Sequence, residues 1–270
     1  MRYITRAAAL AVALMAMLVC AGGAAASPSP GYGEFADCPD KSVDADIFAC
    51  QKTTVDGGHL KLGSKNTPII DPIVLTAGVL PTGDQILGSF DGGRQQVPGG
   101  LIGITGLDWL IYLFPNSVLG LYAEAELAGP LGNAFAEEVS LPLKVHLINP
   151  ILSSNCYIGS NSNPIALSLT TGTTDPPPPN QPITGQQGTA VPDPVLPGVF
   201  RSTDLILVDN EFAVPGASGC GLLNLGLINA LVNLQAGLPS PAGNNEAVQE
   251  ATGALAVVEA IYQPAGFETP

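Results

Sequence analysis

The sequence predicts a mainly β, antiparallel fold, either a sandwich or a barrel-like sheet, with two or three short apolar helices. Short apolar or alternating runs recur along the chain, and clusters of Gly, Pro, Asn and Asp separate them, which is typical of strands joined by tight turns. The chain of 270 residues contains 32 glycines and 25 prolines. Helical spacing of apolar residues is confined to a few stretches, so helices are expected as additions to a sheet.

Residues 1–26 have the composition of a secretory signal peptide. Arg2 and Arg6 give a positive start, an apolar run over 7–21 follows, and the segment ends in three alanines. This order predicts export and removal of the segment, and the apolar run is short for a membrane span. No transmembrane span is therefore expected in the mature chain. Lipidation at Cys20 is an alternative, although Val19 stands where lipoprotein signals usually carry a small residue.

The charge balance excludes one class of partner. The chain has nine basic and 23 acidic residues. Two basic residues leave with the signal, so seven against 23 gives a net charge of −16. A chain this acidic repels phosphate backbones, and nucleic-acid binding is not expected. The same acidity permits cation binding, and calcium is the metal that extracellular carboxylates would favour.

Four cysteines remain after the signal, and an even number in an exported chain predicts two disulfides. Three pairings are open. We favour Cys38 with Cys50 and Cys156 with Cys220, because the first two lie together ahead of the main body. Zinc is the competing interpretation, but the spacing contains no C-x-x-C pair and the chain has two histidines.

The chain is expected to divide into an arm and a body. Residues 27–56 predict an irregular arm stapled by the first disulfide, and residues 57–270 predict a mainly β globular body. Residues 170–198 are rich in proline and predict a long surface loop. Strands are predicted at 48–55, 59–62, 68–75, 85–90, 120–129, 140–149, 165–169 and 203–208. Asp56-Gly57-Gly58 is expected to form a turn between the first two strands.

Two of these strands alternate between apolar and polar residues. In GLYAEAELAG (120–129) the Leu and Ala side chains share one face and the glutamates the other. SLPLKVHLIN (140–149) alternates in the same way, with Lys144 and His146 outward. If the two strands pair, Lys144 should lie near Glu124 or Glu126.

Three stretches have helical spacing. They cover 107–114, 219–237, in which Asn229 and Asn233 form a narrow polar stripe, and 246–262. A strand through 253–258 is the alternative for the last. GLIGITGLDWLIYL (100–113) and GLLNLGLINALVNL (221–234) also echo one another. Two pseudo-equivalent halves would explain the echo, and so would shared composition.

No catalytic constellation is evident. The G-x-S-x-G motif is absent, His59 is expected at a turn, and His146 is expected on an outer strand face. Asp37, Asp40, Asp44 and Asp46 are close enough in sequence to hold calcium together, but a solvated acidic arm is the default interpretation. Of the apolar residues, Leu107, Leu110, Ile111, Leu227 and Leu231 could line a lipid pocket, form a plain core, or be buried in an oligomer.

The segment LPLKVHLINPILSSNCYIGSNSNPIALSLTTGTTDPPPP (Leu141–Pro179), with the Ala-rich leader and the early Cys38/Cys50 pair, resembles a group of uncharacterised secreted proteins of high-GC Gram-positive (actinobacterial) bacteria. The resemblance implies secretion and no particular activity. The sequence favours a non-enzymatic secreted or cell-surface protein with a structural or interaction role, in contact with the cell envelope or with its own copies. The alternative is an extracellular carrier of a hydrophobic small molecule or lipid.

Overall fold

The computed structural model describes residues 27–100, 119–221 and 226–262. These residues form one curled antiparallel sheet, a half-barrel, with two short helices and a 3-10 turn at Gly33–Phe35. The helices are α1 (Leu227–Ala236) and α2 (Val258–Ile261). The strands are β1 (Ala49–Leu62), β2 (Lys65–Pro68), β3 (Ile73–Val79), β4 (Gln85–Asp91), β5 (Arg94–Gln96), β6 (Tyr122–Leu127), β7 (Glu138–Ile148), β8 (Tyr157–Ile158), β9 (Ile165–Thr170), β10 (Thr189–Pro192), β11 (Val199–Asp209), β12 (Ala217–Ser218) and β13 (Glu246–Val257).

The strand order is β12-β8-β7-β9-β11-β13-β1-β3-β4, with β10 beside β11, β2 beside β1, and β5 and β6 extending from β7. The predicted mainly β, antiparallel class is thereby confirmed. The curl brings β4 near β6, so the inner face of the sheet is concave. None of the helices in the described ranges is long and apolar enough to cross a membrane.

The core lies on this inner face. β7 and β9 bury every second side chain there, as the alternation in the sequence predicts. The main apolar cluster includes Leu143, Val145, Leu147, Ile165, Leu167 and Leu169. A smaller cluster fixes the N-terminal arm, in which Phe35 and Cys50 are fully buried against Val199 and Ile261. The arm is therefore packed on the ends of β11 and β13.

The turn predicted at Asp56-Gly57-Gly58 is wrong. β1 continues through these residues, and the pairing with β13 shifts between Val55 and Gly57, which is a β-bulge. Gly58 has φ +92°, and a Cβ there would lie 2.0 Å from the carbonyl oxygen of Val248. The glycines thus allow a bulge and a close backbone approach rather than a reversal. The boundary placed at 56/57 falls inside one continuous strand, and His59 lies on that strand rather than at a turn.

The helix predicted over 246–262 is also wrong, and the strand alternative is closer. Residues 246–257 form β13, which pairs along its length with β1 on one side and β11 on the other. Alanine spacing in this run fits either period, and two neighbouring strands decide it. Four residues of helix α2 follow. The helix predicted over 107–114 lies outside the described residues, as does most of the comparison between 100–113 and 221–234.

The Pro-rich segment at 170–198 lies largely on the surface. Isolated bridges join Thr173 to Thr184 and Gln186 to Ile206, and the short strand β10 adds to the edge of β11. Arg201 holds the end of this segment to the arm. Its guanidinium donates to both carboxylate oxygens of Glu34 and, from Nε, to Asp193 Oδ2 at 2.8 Å.

Candidate functional site

An apolar cavity of about 260 Å³ lies between the inner face of the sheet and α1. Its walls come from β1, β2, β3, β5, β6, β7, β8, α1 and the connections next to them, and all but a few of the described lining residues are apolar. Those lining residues are Leu60, Leu62, Lys65, Thr67, Ile69, Ile73, Gly92, Gln95, Val97, Gly100, Leu121, Ala123, Ala125, Val145, Leu147, Ile151, Leu152, Ile158, Ile228, Leu231, Val232, Gln235 and Ala236.

Strand alternation explains which residues line this cavity. Leu60 and Leu62 of β1 face it, and in the antiparallel register they lie opposite Thr67 and Lys65 of β2, which therefore share the same face. On the far wall β6 presents Ala123 and Ala125. Because these side chains are single methyl groups, they leave room that leucines would fill.

Helix α1 lies across this cavity and is held by its polar stripe. Asn229 Oδ1 accepts a hydrogen bond from the backbone N–H of Cys220 at 2.8 Å. Asn233 accepts from the N–H of Ala217 at 2.6 Å and donates to its carbonyl at 3.1 Å. The two asparagines that the sequence shows as a stripe therefore bind α1 to the 217–220 segment and turn Ile228 and Val232 towards the cavity.

The C-terminus of α1 is joined to the turn between β1 and β2. Gly237, at φ +64°, ends the helix with a Schellman pattern in which the N–H of Leu238 donates to the carbonyl of Asn233 at 2.8 Å. Ser64 satisfies the next two carbonyls: its hydroxyl donates to Gln235 at 3.1 Å and its N–H donates to Ala236 at 2.9 Å. The start of β2 therefore lies beside the last turn of α1.

The second disulfide lies next to α1. Cys156 and Cys220 are bonded and fully buried, and Cys38 is bonded to Cys50. Both pairings are those favoured from the sequence. Cys156 lies in the connection between β7 and β9, and its partner Cys220 accepts the N–H of Ser153 and donates to Asn229. The disulfide thus ties the β7–β9 connection to the segment that holds α1. Two disulfides are compatible with an extracellular location.

The polar side chains that line the cavity differ in whether they already make hydrogen bonds within the protein. Gln95 is buried, its Oε1 accepts from Ile70 and Asp71 at 2.8 and 3.1 Å, and its Nε2 donates to the Asp71 carbonyl. It is a structural residue. Lys65, Thr67 and Gln235 are different, because their side chains make no hydrogen bond or ion pair with the residues that the structure describes.

A second apolar cavity of about 150 Å³ continues along the inside of the sheet and shares Ile73 and Ala125 with the first. It is bounded by side chains of β1, β3, β4, β6, β7, β9, β11 and β13, with Gln51, Gln85 and Gln249 as its amides. A third depression of about 520 Å³, lined by Pro164, Pro215, Pro239 and Pro241, is open to solvent. This open depression surrounds less of a ligand than the two deeper cavities do.

The residues predicted to line a pocket lie in different places. Leu231 lines the first cavity at its rim, 53% exposed. Leu227 does not line it and is 78% exposed. Leu107, Leu110 and Ile111 lie outside the described residues. The strand residues that form most of the wall were not singled out from the sequence, since alternation predicts an inward face but not whether that face closes on itself.

Four polar residues on the outer face of β6, β7 and β8 form a cluster. Glu126 pairs with Lys144 at 3.2 Å, as the predicted β6–β7 pairing requires, and it lies 3.9 Å from His146 Nδ1. Tyr157 donates to Glu126 at 3.0 Å and stacks on His146 with ring centroids 4.7 Å apart. Burial, and then the carboxylate of Glu126, raise the pKa of Tyr157. None of these four residues lines the described cavities.

The other titratable residues singled out from the sequence have structural contacts. His59 Nε2 lies 2.8 Å from Glu246 Oε1 across the β1–β13 pair. In the arm, Asp40 and Asp44 accept hydrogen bonds from Ser42 and Asp46, and Asp37 accepts from Ser89. Within the described ranges, no group of three or more His, Cys, Asp or Glu side chains is placed to hold a metal ion.

Comparison with known proteins finds no relative of this chain. No family model, no curated protein and no solved structure matches the chain.

Proposed function

We propose that this protein is an extracellular carrier that binds a hydrophobic small molecule in the 260 Å³ cavity between its sheet and α1. The observation that carries the proposal is the cavity wall itself, which is almost entirely apolar among the described residues. Water gains few hydrogen bonds in such a space, and an engineered apolar cavity of about 150 Å³ stays dry and binds benzene. A larger cavity of the same kind favours a larger apolar ligand.

The location is part of the same proposal. The leader at 1–26 and the resemblance to secreted actinobacterial proteins favour export, and the two disulfides are compatible with it. A small apolar molecule outside the cell needs a water-compatible carrier, and the acidic surface of this chain keeps such a carrier soluble.

The test is binding of a neutral fluorescent probe, N-phenyl-1-naphthylamine, whose emission rises in apolar surroundings. The purified mature chain is expected to bind it saturably. Ala123→Phe is expected to lower the affinity at least tenfold, because its added ring has the size of benzene, which alone occupies a cavity of about 150 Å³, and so fills much of the 260 Å³ space. Ala190→Phe makes the same change on the exposed edge strand β10, outside the cavity walls, and serves as the matched control.

The carrier function is supported if the wild type binds the probe saturably, Ala123→Phe removes this binding and Ala190→Phe leaves it intact. No saturable binding by the wild type, or equal binding by both folded variants, contradicts it. Far-ultraviolet circular dichroism of each variant checks that the sheet is retained.

A structural or interaction role is the second candidate, and one observation favours it. Leu227, Leu231 and Leu234 lie at i, i+4 and i+7 on α1, and they are 78%, 53% and 80% exposed. Contact between two copies of the chain would cover this stripe. Sedimentation equilibrium of the wild type and of Leu227→Ser/Leu234→Ser tests this role: a dimer that the double variant dissociates supports it, and a monomer at all concentrations contradicts it.

A further inference from the structure

We infer that the ligand of the apolar cavity is an amphiphile with an anionic head, such as a carboxylate, and that Lys65 binds this head at the mouth. The inference rests on the proposed carrier function and names the ligand class of the same site. It follows from three polar side chains, two on β2 and one on the neighbouring last turn of α1, that line a mainly apolar cavity.

The first step is charge. Lys65 is the single ionisable side chain among the described residues that line the cavity. The chain as a whole has 23 acidic and nine basic residues. Several of those basic residues already have carboxylate partners: Lys41 has Glu259, Lys144 has Glu126, and Arg201 has Glu34. Lys65 has no such partner among the described residues, so its ammonium is available to a ligand.

The second step is position. Lys65 and Thr67 lie two residues apart on β2, so they present their side chains on the same face of the strand, about 7 Å apart by strand rise. Both line the cavity. Ser64, directly before Lys65, donates its hydroxyl to the carbonyl of Gln235 at 3.1 Å. This bond places the start of β2 beside the last turn of α1, where Gln235 also lines the cavity.

The third step is chemistry. The ammonium of Lys65, the hydroxyl of Thr67 and the side-chain amide of Gln235 are all hydrogen-bond donors. Three donors, one of them cationic, suit the two oxygens of a carboxylate, and a charge-assisted hydrogen bond is stronger than a neutral one. An apolar tail would then lie against Leu60, Leu62 and the alanines of β6. A neutral apolar ligand would make no use of these three donors.

The test compares decanoate with decanol, which share a tail and differ in the charge of the head. Each displaces N-phenyl-1-naphthylamine from the mature chain at neutral pH. Decanoate is expected to bind about tenfold more tightly than decanol, and Lys65→Met is expected to remove most of this difference. Lys65→Met should weaken decanol and the probe far less than it weakens decanoate, and far-ultraviolet circular dichroism checks that the variant is folded.

The matched control is Lys61→Met. Lys61 lies on the same hairpin, between Leu60 and Leu62, so strand alternation turns it to the opposite face, and it does not line the cavity. The Lys61→Met substitution removes the same charge from a nearby position on the same hairpin. Lys65→Arg keeps the charge and is expected to retain most of the preference for decanoate. Thr67→Val is a second, independent variant and should weaken decanoate about threefold and decanol less, because a carboxylate accepts the stronger hydrogen bond.

The inference and the carrier function fail in different ways. If the wild type binds the probe and decanol but binds decanoate no more tightly, the anionic head is wrong and the carrier stands. The same holds if Lys61→Met and Lys65→Met weaken decanoate equally. If the wild type binds neither the probe nor either decyl compound, the carrier function itself is contradicted.

Discussion

The two disulfides close loops of very different length, and this difference gives a quantitative prediction. Cys156 and Cys220 are 64 residues apart, whereas Cys38 and Cys50 are 12 apart. In the chain-entropy account, the loss of loop-closure entropy in the unfolded chain stabilises the fold by about 4.3 kcal/mol for the longer loop and about 2.8 kcal/mol for the shorter one. Removing the longer link should therefore destabilise the protein by about 1.5 kcal/mol more.

Two double variants test this difference. Cys156→Ala/Cys220→Ala opens the long loop and Cys38→Ala/Cys50→Ala opens the short one. All four cysteines are buried, so the two variants lose similar packing and the comparison isolates loop length. Urea unfolding followed by circular dichroism gives each free energy of unfolding, with the m-values compared to detect changes in the unfolded chain.

The longer link has a second expected effect, on binding. Cys220 donates its N–H to Asn229 and so helps to hold α1 over the cavity. Opening this disulfide should weaken binding of N-phenyl-1-naphthylamine, while opening the Cys38–Cys50 link at the far arm should not. The reasoning is refuted if the short-loop variant is destabilised as much as the long-loop variant, or if both lose the probe equally.

Three further outcomes are expected. Gly58→Ala should lower the free energy of unfolding by about 2 kcal/mol or more, because the new Cβ would meet the Val248 carbonyl. Gly33→Ala is the control, since a Cβ there has no heavy atom within 4 Å, and it should change the free energy of unfolding by less than about 0.5 kcal/mol in the same urea titration. The hydrogen bond from Arg201, with two backbone N–H groups, lowers the pKa of Asp193 to about 2. The stability from Asp193 should be present above its unfolded pKa of about 3.9 and be lost as the pH falls towards 2, so melts of the wild type and Asp193→Asn should converge in acid. Glu126→Gln should move the raised pKa of Tyr157 part of the way back towards 10, since burial remains the larger cause, and the nuclear magnetic resonance titration of labelled tyrosine measures it.

The sequence predicts the pairing of β6 and β7 well because both strands alternate without interruption. Their inward leucines and outward charges allow one sensible register, and Glu126 lies opposite Lys144 as expected. The polar stripe of α1 was visible as well. The groups that this stripe contacts could not be predicted. They are backbone groups of Ala217 and Cys220, and every residue has such groups whatever its side chain.

The errors have local causes. Asp56-Gly57-Gly58 has the composition of a turn, yet glycine also permits a bulge, and only the long pairing of β1 with β13 decides between them. Alanines over 246–262 fit helix and strand alike. The cavity depends on how far the sheet curls and on small side chains such as Ala123 meeting across it, and neither property is a pattern along the chain.

The central pair of the sheet has a consequence for how the protein folds. β1 and β13 are the first and last strands of the described residues, and Ala49 pairs with Val257, 208 positions later. Most of the chain must therefore be synthesised and brought together before the middle of the sheet can form. Proteins dominated by such distant contacts fold slowly, since loop closure precedes the gain from pairing. Until β13 arrives, both β1 and β11 have an open edge, and deleting β13 would leave two half-sheets with no strand to join them.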